Sequence, residues 1–250
     1  MRTLILLRHG ESAWNRENRF TGWTDVDLTP QGEEEARAAG LLLAGFEREA
    51  NTEVGVVHTS VLTRAVRTAN LALETMGRSW IPVRRHWRLN ERHYGSLQGL
   101  DKKQTAERFG ADQLKAWRRG YATPPPALSP EDDRHPCHDQ RYRGVEPAAL
   151  PATECLADVV SRLLPYYQDS ILTDLIRFPA VLVVAHGNSL RALIKHLEAI
   201  SDEEIVDLDI PTGIPRVYHL SDDLAVMSAT YLGDPQVARK AAEAVARQAG

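Results

Sequence analysis

Residues 4–7 and 181–184 are wholly apolar, and residues 54–57 repeat the pattern more weakly around Gly55. Such short, uninterrupted runs suit strands buried on both faces of a parallel sheet. The segments between them carry helical signals. Thr29-Pro30 reads as an N-cap followed by proline at the first helical position, opening a helix to about residue 46. A second helix is expected after Ser60, stopping at Gly77. A third spans about 153–177, with Pro165 placed to kink it. A fourth follows Asn188. Ser201 with Glu204 forms a capping-box pattern for a short fifth, and Asp234-Pro235 opens a last one. Alternating strand and helix signals predict an α/β fold with a mostly parallel central sheet flanked by helices. We expect residues 1–250 to form one domain. Within it, residues 120–151 break the alternation with prolines 124–126, 130, 136 and 147, and Pro151 closes the segment. A connection of that length is either functional or disordered.

Composition narrows the function. The 250 residues are 43% hydrophobic and 26% charged, with net charge -4, so nothing points to nucleic acid as a partner. Any anion site must come from a local cluster of basic residues. Two cysteines, Cys137 and Cys155, make no disulfide framework and fit a reducing compartment. The four-residue apolar run near the N-terminus is too short for a signal peptide, and no stretch reaches membrane-span length. These features predict a cytoplasmic protein without membrane association.

The chemistry concentrates at two strand ends. Arg8-His9-Gly10 follows the first apolar run directly, and Ala185-His186-Gly187 follows the one at 181–184. Ligands in open α/β sheets bind outside the carboxyl ends of strands, so neighbouring strands would bring both imidazoles to one reacting group. Either histidine alone could be an ordinary half-buried polar residue. Arg8, Arg64 and the pair Arg118-Arg119 offer guanidinium forks that match phosphate oxygens, although such a pair can equally be a solvated helix face. Helix N-termini after Gly10 and Gly187 would add backbone donors. Glu91, between Asn90 and Arg92, is a carboxylate placed to give or take a proton, or a plain surface glutamate. His135, Cys137 and His138 fit no paired zinc spacing, and no metal is expected.

RHGES at residues 8–12 resembles the signature of the histidine phosphatase superfamily. RHGESAWNRENRFTGWTDVDLTPQG (8–32), TSVLTRAVRT (59–68), LNERHYGSLQGLDK (89–102), WRRGY (117–121) and AHGNSLRALIKHLE (185–198) together resemble its bisphosphoglycerate-dependent phosphoglycerate mutase branch. His138-Asp139 with Arg141-Tyr142 resembles that branch's insertion, which the compact phosphatases generally lack. The resemblance implies His9 as the residue that becomes phosphohistidine, with Arg8, Arg64 and His186 around the transferring group. It implies Glu91 as acid and base. It gives Ser12, Asn15, Thr21, Gly22, Tyr94, Lys102, Arg118, Arg119, Gly187 and Asn188 to phosphate or carboxylate binding. It also implies 2,3-bisphosphoglycerate as primer, phosphoglycerates as substrates, a metal-free reaction, and a homodimer or homotetramer. The departures are peripheral: Thr24 stands where an aromatic residue is common, and the C-terminal tail from about 234 to 250 is somewhat short. Four alternatives stay open: a phosphatase of the same superfamily, a related bisphosphoglycerate mutase, a non-catalytic phospholigand-binding protein, and a metallohydrolase using His9, His186 and Glu91.

Overall fold

The apolar runs at 4–7, 54–57 and 181–184 lie side by side in one sheet. A computed structural model describes residues 2–247. Its elements are β1 (Arg2–Arg8), α1 (Ala13–Arg16), α2 (Pro30–Ala50), β2 (Val54–Thr59), α3 (Thr63–Thr75) and β3 (Val83–Arg85). Next come α4 (Lys102–Phe109), α5 (Ala111–Arg119), α6 (Leu156–Tyr166), a π-turn (Tyr167–Ile171), α7 (Leu172–Arg177) and β4 (Ala180–Ala185). The chain continues through α8 (Gly187–Leu197), β5 (Arg216–Leu220), β6 (Val226–Tyr231) and α9 (Pro235–Arg247). The sheet order is β3-β2-β4-β1-β5-β6. The four strands from β3 to β1 are parallel, and β5 and β6 run antiparallel at the other edge. The mostly parallel α/β class read from the pattern is the one observed.

Successive side chains of a strand point to opposite faces, and here both faces are covered. Leu4, Leu6, Val181 and Val183 pack with Leu163, Ile171, Leu190 and Leu193 on one side. Ile5, Leu7, Leu182 and Val184 pack with Ala39, Leu43, Ala69 and Leu73 on the other. This two-sided burial is why β1 and β4 read as continuous apolar runs.

The helix signals hold in outline and differ in detail. Thr29 Oγ1 accepts from Gly32 N–H at 3.0 Å, and α2 runs one turn beyond residue 46 before Asn51 closes it in a left-handed conformation. α3 starts two residues later than Thr59-Ser60 suggests and ends before Gly77 (φ +69). Pro165 does not end the third helix. The chain stays helical through it and then widens into the π-turn, a known way for a helix to absorb a lost i→i−4 bond. α8 opens on Gly187, one residue before Asn188. Ser201 and Glu204 make the reciprocal box bonds (3.2 and 3.1 Å) but cap only a 3₁₀ turn, Glu204–Asp207.

The Pro-rich insertion is ordered. Three 3₁₀ turns form it, at Pro136–His138, Gln140–Tyr142 and Pro147–Ala149. Tyr142 is buried against Trp23, and its hydroxyl accepts from Asn90 Nδ2 at 2.8 Å, so the insertion braces the loop that carries Glu91.

Candidate active site

In the β1–β4 register Arg8 pairs with Ala185, so the residues that follow emerge together. His9 N–H donates to the Ala185 carbonyl at 3.0 Å, and the rings of His9 and His186 stand 4.9 Å apart, edge to face. Two glycines make room for this turn. A Cβ on Gly10 would lie 2.1 Å from the Gly32 carbonyl oxygen, and one on Gly32 would lie 2.0 Å from that of Glu11. Only glycine lets the end of β1 abut the start of α2 so closely.

A hydrogen bond to a carbonyl fixes the tautomer of His9. His9 Nδ1 lies 2.7 Å from the Gly10 carbonyl, which can only accept. The proton therefore sits on Nδ1, and Nε2 keeps its lone pair. His9 is held well below its ordinary pKa by burial first, then by Arg64 and Arg8, so the ring is neutral. His186 Nε2 lies 2.7 Å from Ser60 Oγ. That hydroxyl also accepts from Leu62 N–H at 3.2 Å, and its own proton can point at Nε2. In that arrangement His186 carries its proton on Nδ1, a buried nitrogen with no hydrogen-bond partner among the described residues. Burial, Arg64 and His9 likewise keep this ring neutral.

Guanidinium groups surround the pair. Arg64, in the first turn of α3, is fully buried and donates to the carbonyls of Gly22 (2.8 Å) and Thr24 (3.0 Å), which ties it to the loop after α1. Arg8 donates to the Ile210 carbonyl at 2.7 Å and has its Nε unpaired. Burial lowers Arg64 and Arg118 to about 10 and Arg191 to about 9, so all three remain cations at neutral pH. Lys102 is lowered to about 7, by burial and then by Arg118 and Arg8.

Glu91 sits opposite. Its Oε1 accepts from Arg92 N–H (2.7 Å) and from Asn188 N–H (3.1 Å) in the first turn of α8. Its Oε2 faces Gly187, where a Cβ would be 3.6 Å away. Its backbone carbonyl accepts from Trp23 Nε1 (2.6 Å) and from Arg162 (3.0 Å), and Arg162 pairs with buried Glu154 at 2.5 Å. One carboxylate oxygen is anchored and the other is left to work.

The cleft wall gathers Arg8, His9, Asn15, Thr21, Gly22, Arg64, Glu91, Tyr94, Lys102, Arg118, Arg119, Gly187 and Asn188. His186 is fully buried beside His9 and is not part of the cleft lining. Ser12 does not line the cleft: its hydroxyl is spent capping α1, donating to Asn15 Oδ1 at 2.9 Å and accepting from Asn15 N–H at 3.3 Å. Arg118 and Arg119 are half-buried in the cleft wall at the end of α5 rather than on a solvated face. Sequence reasoning passed over Arg19, Phe20, Arg191, Asp209, Ile210 and Val245, which also line the cleft. Arg191 was findable, since it follows Asn188 by three positions on α8 and donates to its Oδ1 at 2.9 Å. Asp209 and Val245 arrive from distant loops and helices with no local signal. Among the described residues no group of three His, Cys, Asp or Glu could hold a metal, His135, Cys137 and His138 included. No described helix is long and apolar enough to cross a membrane.

Paired strand-end imidazoles in an arginine-walled cleft on this sheet define the histidine phosphatase fold. Residues 4–135 match the model of the histidine phosphatase superfamily, branch 1. A relative from Thermobifida fusca (strain YX) is 57% identical over 250 residues, 99% of each chain. One from Nitratidesulfovibrio vulgaris (Hildenborough) is 56% identical over 248 residues, 99% of this chain and 98% of that protein. Both carry the name 2,3-bisphosphoglycerate-dependent phosphoglycerate mutase. Among solved structures, a mycobacterial glucosyl-3-phosphoglycerate phosphatase superposes with TM-score 0.67 at 24% identity, covering 92% of this chain and 97% of that one, and so shares the fold. The chain belongs to the histidine phosphatase superfamily and, within it, to the 2,3-bisphosphoglycerate-dependent phosphoglycerate mutase family.

Proposed function

We propose that this protein interconverts 3-phosphoglycerate and 2-phosphoglycerate through phosphorylated His9, primed by 2,3-bisphosphoglycerate. The observation that carries this is the tautomer of His9: a buried, neutral ring with Nδ1–H spent on Gly10 and Nε2 free. Phosphoryl transfer is mainly positioning and charge stabilisation. Arg8, Arg64 and the Nδ1–H of His186 supply donors for the equatorial oxygens, so the scheme needs no metal. Lys102, Arg118, Arg119, Tyr94 and Asn188 hold the remaining phosphate and carboxylate. The unpaired buried nitrogens of Arg8 and His186 fit a phosphoryl group placed between them.

In each half-cycle phosphorylated His9 loses its phosphoryl to a glycerate hydroxyl, or His9 Nε2 takes one back from the opposite carbon. Glu91 Oε2 accepts the hydroxyl proton in the first direction and returns it in the second. Between the halves the bisphosphorylated intermediate turns end for end. Water must stay out, because phosphohistidine hydrolyses. Val245 of α9 and the ordered insertion are the parts of the chain that would exclude it. We further propose a cytoplasmic homodimer or homotetramer forming a single domain per chain.

The test is product analysis. With 3-phosphoglycerate and trace 2,3-bisphosphoglycerate, 2-phosphoglycerate should form, and EDTA should not stop it. Free phosphate as the main product would mean a phosphatase of the same superfamily. EDTA sensitivity would mean a metallohydrolase, and no turnover at all would leave a binding protein.

A further inference from the structure

Apart from Glu91, Asp209 is the one carboxylate among the described residues that line the cationic cleft. It follows the 3₁₀ turn at Glu204–Asp207, in the segment whose Ile210 carbonyl holds Arg8 and whose Gly213 N–H donates to the Arg8 carbonyl at 3.0 Å. Its Oδ1 lies 2.6 Å from Arg119 NH1, with the two side chains 15% and 13% exposed. Its charge also acts on Arg8, Arg118 and Arg191. Glu91 has both its backbone and one oxygen anchored and serves proton transfer. Asp209 has no such role: it places a negative charge where an anionic ligand must bind. A chain selected only for tight anion binding would leave that position neutral.

We propose that Asp209 is a built-in competitor for Arg119, occupying its guanidinium until the ligand's own carboxylate or second phosphate displaces it. The inference rests on the reading of the cleft as a phosphoglycerate site. Carboxylate replaces carboxylate, so a ligand gains Arg119 only by giving up the Asp209 contact. A ligand with a single anionic end, such as inorganic phosphate bound at the imidazoles, need not touch the pair. Asp209 thereby trims affinity for two-ended anions, and on product departure it reclaims Arg119 and favours release.

The experiment uses the full-length protein and titration calorimetry with 3-phosphoglycerate and, separately, inorganic phosphate. Asp209→Asn should tighten 3-phosphoglycerate binding about tenfold, the gain of one partly buried charge contact no longer displaced. Phosphate affinity should change by about twofold or less. In turnover, KM should fall about tenfold with kcat no higher than wild type. Asp209→Glu should behave as wild type. In an Arg119→Met background the Asn substitution should lose most of its gain, because it acts through that side chain. Should Asp209→Asn fold poorly, Asp209→Ser carries the same expectation. Weaker or unchanged 3-phosphoglycerate binding in Asp209→Asn would overturn the proposal, showing that the carboxylate aims Arg119 rather than competing for it. A full gain in the Arg119→Met background would overturn it too. Because binding is read without turnover, a wild-type protein that binds 3-phosphoglycerate yet makes no 2-phosphoglycerate would defeat the functional reading while leaving the competitor test intact.

Discussion

Ser60→Ala tests whether the second imidazole works through a fixed tautomer. The hydroxyl makes two buried bonds, to His186 Nε2 at 2.7 Å and from Leu62 N–H at 3.2 Å, and deleting it opens almost no space. Each net bond contributes about 1 kcal/mol, and both partners are left buried and unsatisfied, so stability should drop by about 2–4 kcal/mol. The effect on transfer is smaller than removing the donor. Deleting an oxyanion donor outright costs about 10²–10³ in rate. Without Ser60 the His186 ring can still place its proton on Nδ1 when an anion is present, but loses the bond that favours that state. A loss of about 1 kcal/mol corresponds to a rate five- to tenfold lower. Rapid-quench measurement of phosphoenzyme formation, beside denaturant unfolding, separates the two effects. Ser60→Thr keeps the O–H and should restore most of the rate. A destabilised Ser60→Ala with wild-type transfer rate would refute the tautomer argument and leave Ser60 a purely structural group.

Three further outcomes are expected. Gly10→Ala should destabilise the protein by about 3 kcal/mol or more, seen in urea unfolding, because its Cβ would meet the backbone oxygen of Gly32 rather than a movable side chain. Stability should fall as pH drops below about 6.5, because His9, His58, His93 and His186 all have folded-state pKa values below their unfolded ones. For His58, lowered to about 4 by burial, protonating the unfolded chain first withdraws about 3 kcal/mol by pH 4, which unfolding curves at stepped pH would register. As pH rises through about 7, Lys102 loses its proton in the free protein, so 3-phosphoglycerate affinity should weaken about tenfold by pH 8.5, and Lys102→Gln should flatten that profile.

Legibility in the sequence followed burial. β1 and β4 are covered on both faces, so their apolar runs stood out, and the His-Gly pairs at their ends marked the site. β6 is half-exposed and β3 has only three residues, so neither carried a period long enough to read. α4 and α5 are short and polar, so Lys102 stood out only through the family resemblance, and Arg118 could be read from spacing alone as a solvated face. Ser12 was assigned to ligand binding by resemblance, and the helix cap its hydroxyl makes with Asn15 carried no separate signal in the sequence. Asp209, Ser60 and Arg162 depend on contacts across 72–126 residues of chain, which no local pattern encodes.

In the proposed cycle His9 Nε2 carries the phosphoryl group. Incubating the protein with 2,3-bisphosphoglycerate labelled in both phosphoryl groups, quenching in alkali and mapping the labelled peptide by mass spectrometry tests it directly. Acid-labile, alkali-stable label is expected on His9, chased off by unlabelled 3-phosphoglycerate and missing in His9→Ala. Label on another residue, or undiminished mutase turnover in His9→Ala, would contradict it.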